Sequence, residues 1–250
     1  MIKKKERPTL QDSDSRMIGE QLSFAASEAY KLLRTNLMFA LPDEQRESDD
    51  EKRCRVIGIT SAESGEGKST TALNLSYMLA ETNNKVLLIE ADMRLPSLYQ
   101  RVNLQQSPGL SNLLAGLSNG SQALQKSSIH PHLYMVTSGD IPPNPSELLG
   151  SEQMRTMVRT LSQNFNYMIL DLPPVNEVSD ALVASKLTDG MLMVVRQNMA
   201  TRGSVNEAMR QLEYANAKVL GFVMTCVESD AKGYRKYSYY GYGERKRPKP

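Results

Sequence analysis

Cysteine is nearly missing from this sequence: Cys54 and Cys226 are the only two in 250 residues. Two are too few for a disulfide framework, so the reading is a chain made for a reducing, cytosolic setting. No stretch approaches the roughly 20 apolar residues that a membrane-spanning helix needs. The charged start MIKKKERPTLQDSDSR is followed by no apolar run, so no secretory signal is expected. Any membrane association must come through a partner or a surface patch. A charge excess is absent too. Lys and Arg number 30 against 28 Asp and Glu, so bulk charge gives no argument for nucleic acid. No internal repeat is apparent.

What is present is a core of ordinary size, with 40% hydrophobic residues, enough for a single α/β domain with tails. The expected organisation is a flexible segment over 1–22, a domain over 23–228 and a basic, tyrosine-rich tail over 229–250. Residues 23–41, SFAASEAYKLLRTNLMFAL, carry apolar positions at helical spacing. After the charged loop 43–53, strands and helices alternate. Strands are predicted at 55–61, 85–91, 132–139, 167–174, 190–196 and 219–225. Helices are predicted at 69–82, 111–117, 146–163, 179–187 and 201–216. Near-continuous apolar strands in such units imply a mostly parallel sheet covered by helices on both faces. Ligands of such sheets bind beyond the carboxyl ends of the strands.

The residues that follow the strands carry the chemistry. After the first comes SAESGEGKSTT (61–71), whose GKST core opens a helix, the context a phosphate loop requires. Gly65 and Gly67 allow the backbone to curl its N–H groups toward a phosphate, and the helix start adds partial positive charge. Ser64, Gly65, Glu66, Gly67, Lys68, Ser69 and Thr70 are the expected nucleotide-binding set. Lys68 is expected on the β/γ-phosphates and Ser69 on Mg²⁺. Ala62 stands where the general pattern has its first glycine. The second strand ends IEADMRLP, with Glu90, Asp92 and Arg94, and a later one ends ILDLPP, with Asp171. Asp171 after an apolar run is the expected Mg²⁺-side acid. Glu90 and Asp92 lie two apart and are expected on one side of an extended strand end. One could hold metal-bound water while the other takes a proton. Any one of these acids alone could be a helix cap, but three beside a phosphate loop point to phosphoryl transfer.

The combination GEGKST (65–70), IEADMR (89–94), GDIPPNPSELL (139–149), ILDLPP (169–174) and a terminal cluster of tyrosines resembles the bacterial tyrosine kinases of capsule and exopolysaccharide assembly. These are P-loop NTPase-fold proteins unrelated to eukaryotic kinases, and the resemblance runs from about Ser27 to Tyr242. It implies ATP and Mg²⁺ as cofactors, with Lys68 on phosphate and Ser69, Asp92 and Asp171 around the metal. An acid of the second motif, Glu90 or Asp92, would lie near the incoming tyrosine. Glu90 stands where the family has Asp. EAYKLLR (28–34) resembles the family's oligomerisation pattern, so Glu28, Lys31 and Arg34 would build a ring of subunits. Lys31 replaces an arginine there and loses its bidentate fork. Read by spacing alone, the same three residues are a solvent-facing stripe.

The tail GYRKYSYYGYGERKRPKP bears Tyr234, Tyr237, Tyr239, Tyr240 and Tyr242, the expected phosphoacceptors, in a region that from Glu228 onward is net +4. The resemblance further implies autophosphorylation between subunits, a membrane activator of the polysaccharide co-polymerase type and a dedicated phosphatase. The chain would then be the detached cytoplasmic half of the system, held peripherally at the inner face of the membrane. Other readings are a partition or septum-positioning ATPase, a nucleotide-gated adaptor without catalysis, and a nucleic-acid binder using the tail. The first uses a lysine five residues before Lys68, where this chain has Glu63. A full phosphate-transfer site makes nucleic acid an unexpected partner.

Overall fold

The computed structural model describes residues 18–41 and 53–227. Seven strands form one sheet: β1 (Arg55–Ser61), β2 (Val86–Glu90), β3 (Leu124–Lys126), β4 (Leu133–Val136), β5 (Tyr167–Asp171), β6 (Gly190–Arg196) and β7 (Val219–Thr225). Their spatial order is β3-β4-β2-β5-β1-β6-β7, and every pairing is parallel except β3 with β4. Alternate side chains of the inner strands feed two cores. Val86, Leu88 and Ile169 enter one, while Leu87, Ile89, Met168 and Leu170 enter the other. A strand buried on both faces needs apolar residues at every position, which is why these runs do not alternate with polar ones.

Helices α1 (Phe24–Ala40) and α2 (Lys68–Ala80) cover the first face, through Leu37 and through Leu73, Leu75 and Leu79. Ser23 caps α1 by accepting the Ala26 N–H at 3.3 Å. The short α3 (Leu98–Arg101) follows β2 and adds Leu98 to that core. The opposite face carries α4 (Leu110–Leu114), α5 (Gly120–Ala123), α6 (Pro145–Leu149), α7 (Glu152–Ser162), α8 (Asp180–Ala184) and α9 (Arg202–Tyr214).

The mostly parallel sheet with both faces covered matches the expected class. Several local expectations fail for physical reasons. The helix expected over 146–163 is two helices. Gly150 ends α6, and extended Ser151 (φ −71°, ψ 160°) starts α7, its hydroxyl accepting the Met154 N–H at 3.2 Å. The 179–187 helix continues past α8 only as a 3-10 turn, Ser185–Leu187. Gly19–Gln21, inside the segment read as polar and flexible, forms a 3-10 turn against α2, where the Gly19 N–H donates to Asn74 Oδ1 at 3.1 Å.

Candidate active site

The phosphate loop runs from the end of β1 into α2. Gly65 (φ 82°) and Gly67 (φ 97°) both adopt the left-handed conformation. A Cβ on Gly67 would lie 3.3 Å from Thr225 Cγ2, and one on Gly65 3.3 Å from Met199. The chain ends of β6 and β7 thus press against the loop. They also bond to it: Thr225 Oγ1 donates to the Glu66 carbonyl at 2.7 Å and Arg196 Nη1 to the Gly65 carbonyl at 3.1 Å. Ala62 is free of this constraint. Its backbone has no positive φ, and its methyl is wholly buried in the core, so the missing first glycine has a packing reason.

Lys68 opens α2 and is buried, with Nζ 3.7 Å from Asp92 Oδ2. Asp92 is also buried, and its Oδ1 accepts the Leu95 N–H at 3.1 Å. Asp171, the last residue of β5, is 1% exposed, and its Oδ1 has no hydrogen-bond partner among the described residues. Burial pushes the Asp171 carboxyl up to about 7, against the opposing pull of Lys68 and of a hydrogen bond with Ser69. Within the loop Glu66 is wholly buried, with Oε2 accepting the Glu63 N–H at 2.9 Å. At the other end of the loop motif, Thr70 Oγ1 accepts from Arg101 Nη1 at 2.7 Å.

Glu90 is held by backbone amides. Its Oε1 accepts the Ser97 N–H at 2.6 Å and the Leu98 N–H at 2.5 Å, and its Oε2 accepts the Ser138 N–H at 3.1 Å. The side chain caps α3 and ties β2 to the end of β4. Burial raises its pKa, with the three amides pulling the other way. Glu90 and Asp92 both act electrostatically on Asp171, but backbone amides hold Glu90 while Asp92 faces Lys68. β2 ends at Glu90, so Asp92 lies beyond the strand. Among the described residues, no three His, Cys, Asp or Glu side chains converge as a metal-holding group.

Arg94 of the same motif is locked. Its Nε and Nη2 donate to the two carboxylate oxygens of Asp180 at 2.9 and 3.0 Å. Ser146 Oγ also donates to Asp180, which brings the GDIPPNPSELL segment to the same carboxylate. Asp180 carries no sequence motif of its own, and neither do Thr225 and Arg101. Only their contacts show what they hold.

Ser64 and Gly65 are exposed, while Ser69 and Thr70 are partly so. Glu28 and Lys31 pair with each other at 2.8 Å on the outer face of α1. Arg34 turns away from them, and its Nη1 donates to the Met78 carbonyl of α2 at 2.7 Å. Tyr234, Tyr237, Tyr239, Tyr240 and Tyr242 lie outside the described residues.

The donor set suits a magnesium nucleotide. A buried carboxylate with an unpartnered oxygen, a hydroxyl beside it and a lysine at a helix start are what a hard cation bound with phosphates requires. Comparison with known proteins places this arrangement. A family described as an AAA domain matches residues 54–219. The tyrosine-protein kinase YwqD of Bacillus subtilis is 38% identical over 216 residues, covering 86% of this chain and 85% of that protein. The tyrosine-protein kinase CpsD of Streptococcus agalactiae is 32% identical over 221 residues, covering 88% and 92%. The crystal structure of the chimerical protein CapA2B2 superposes with a TM-score of 0.78 at 35% identity, covering 87% and 91%. With its phosphate loop, its strand-end acids and these relatives over most of its length, the chain belongs to the bacterial tyrosine-protein kinases.

Proposed function

We propose that this protein transfers the γ-phosphoryl group of ATP to tyrosine hydroxyls, chiefly those of the terminal cluster of a neighbouring copy. We further propose that it thereby regulates capsule or exopolysaccharide synthesis and export. The observation that carries the reading is the convergence of Lys68, Asp92 and Asp171 on the phosphate loop, with Asp171 Oδ1 buried and unpartnered. Lys68 and the loop amides of Gly65, Gly67 and Ser69 bind and orient the phosphates. Ser69 and Asp171 would hold Mg²⁺, with Asp92 beside them. Bound there, the ion supplies positive charge to the β- and γ-phosphate oxygens.

A tyrosine hydroxyl has a pKa near 10 and needs a positioned acceptor for its proton. Asp92 fits that role better than Glu90, because both Glu90 oxygens already accept backbone N–H groups. As the phenolic oxygen bonds to the γ-phosphorus, the bond to the β-phosphate oxygen breaks and ADP leaves. Asp92 takes the phenolic proton.

The exposed Glu28–Lys31 pair on α1 supports a subunit contact, with Arg34 anchoring the helix to α2. Among the described residues no helix is long and apolar enough to cross a membrane. A membrane activator and a phosphotyrosine phosphatase complete the proposed system. The test is incubation with Mg-ATP followed by phosphotyrosine detection, with Lys68→Met as control. Label that depends on Lys68 and maps to the terminal tyrosines supports the reading. Nucleotide turnover without labelled protein would favour a partition-type ATPase.

A further inference from the structure

Two of the phosphate loop's own amides are already held by carboxylates of the protein. Glu66 Oε2 accepts the Glu63 N–H at 2.9 Å, and Glu177 Oε1 accepts the Ser64 N–H at 2.7 Å. The two carboxylates stand in different surroundings. Glu66 is wholly buried inside the loop and cannot leave without unfolding it. Glu177 is exposed, on the turn that follows β5, and among the described residues it forms no ion pair. Among the described residues no cation pairs with it, and the Ser64 amide is the donor that holds its carboxylate. An anionic oxygen on an exposed N–H of an anion-binding loop occupies the place of a ligand oxygen.

We infer that Glu177 is a selectivity residue for nucleotide binding, favouring metal-complexed over metal-free nucleotide. The inference rests on the nucleotide site proposed above. The reason is charge. A phosphate entering the loop meets the Glu177 carboxylate beside Ser64, and like charges repel. A divalent cation cancels a large share of the triphosphate's charge and reduces that repulsion. Metal-free nucleotide receives no such relief. Lys68 is the only cationic side chain in the 61–70 segment, and it lies near Asp92, so it is not free to shield Glu177. At an exposed position with solvent screening, one such charge is worth about tenfold in affinity toward a fully charged phosphate.

The test is calorimetric titration of the full chain with ATP, once in EDTA and once with excess Mg²⁺. Wild type, Glu177→Gln and Glu177→Ala are compared. Glutamine keeps an oxygen for the Ser64 N–H and removes only the charge. In EDTA, Glu177→Gln should bind ATP about tenfold more tightly than wild type. With Mg²⁺ the gain should be about threefold or less, so the ratio of the two Kd values falls by about threefold or more. Glu177→Ala should behave similarly. An unchanged ratio in Glu177→Gln would overturn the inference. So would equal tightening of Glu177→Ala in both conditions with no change in Glu177→Gln, because that is competition for the amide without charge selection. Weaker binding by either variant would show that Glu177 supports the loop, which also overturns it. A wild-type chain that binds ATP in neither condition would remove the proposed function itself, and the inference with it.

Discussion

Replacing Glu90 and Asp92 one at a time separates a structural acid from a chemical one. Glu90 offers two oxygens to three backbone N–H groups, two at the start of α3 and one beyond β4. Glu90→Gln keeps one oxygen for Ser97 and Leu98 but turns an NH₂ group toward the Ser138 N–H. That strands one buried donor and weakens two bonds that had a carboxylate acceptor. A stranded buried donor costs roughly 1–3 kcal/mol, so the whole change should cost about 2–4 kcal/mol. For a chain of this size that is a fall in Tm of about 5–15 °C. Asp92→Asn keeps an oxygen for the Leu95 N–H and gives up the buried 3.7 Å pairing with Lys68. Because both partners are buried, losing the charge should cost up to about 3 kcal/mol of stability, while transfer to tyrosine falls by about 10²- to 10⁴-fold. The assays are thermal unfolding, nucleotide binding and single-turnover phosphotransfer, run well below every Tm. A Glu90→Gln protein as stable as wild type but unable to transfer phosphate would refute the assignment. So would an Asp92→Asn protein that transfers at the wild-type rate.

Other outcomes follow from the same contacts. Burial holds the Asp171 carboxyl at about 7 in the fold against an ordinary 3.8, so the folded chain keeps a proton that the unfolded chain releases. In EDTA this contribution is complete below about pH 4 and is lost as pH rises toward 7, by at most about 4 kcal/mol; urea titrations from pH 5 to 8 should show Asp171→Asn with a flatter slope. Arg94→Ala should destabilise more than Asp180→Ala, about 3 against about 1–2 kcal/mol in urea, because Asp180 is wholly buried while the Arg94 side chain is 40% exposed. Equal losses would show that the bidentate pair is not what anchors the motif. Each phosphotyrosine adds about −1.5 to −2 charge, so five would turn the tail from net +4 to about −4 to −6. Phosphorylated protein should then elute as smaller assemblies than dephosphorylated protein at matched salt, and equal sizes would count against ring control by tail charge.

The sheet was legible because its inner strands are long, near-continuous apolar runs, a pattern that few other arrangements produce. The phosphate loop was legible because Gly65, Gly67, Lys68 and Ser69 come in a fixed order between a strand and a helix. What escaped was local. β3 is three residues at the sheet edge, Leu124, Gln125 and Lys126, too short and too polar to show a period. The break between α6 and α7 hides in a run whose apolar spacing continues across Gly150 and Ser151. Asp180 opens a helix, and nothing in its sequence surroundings marks it. Its partner Arg94 is 86 residues away, and no single sequence can display that pairing.

The strand-end acids show why spacing is a weak guide to role. Glu90, Asp92 and Asp171 leave one edge of the sheet, yet each is defined by whatever reaches it. Three backbone amides reach Glu90, so its charge is absorbed in holding α3 and the end of β4 in place. One amide and the distant ammonium of Lys68 reach Asp92, which leaves it beside the phosphate-loop lysine with acceptor capacity to spare. Asp171 has an oxygen that no donor among the described residues reaches, in a place where burial makes its charge costly. A buried carboxylate kept in that condition lowers the stability of the fold, and a cation binding beside it would recover the loss. The acid that contributes least to the fold is therefore the one best suited to hold the metal. The acid that contributes most is the one least suited to move a proton.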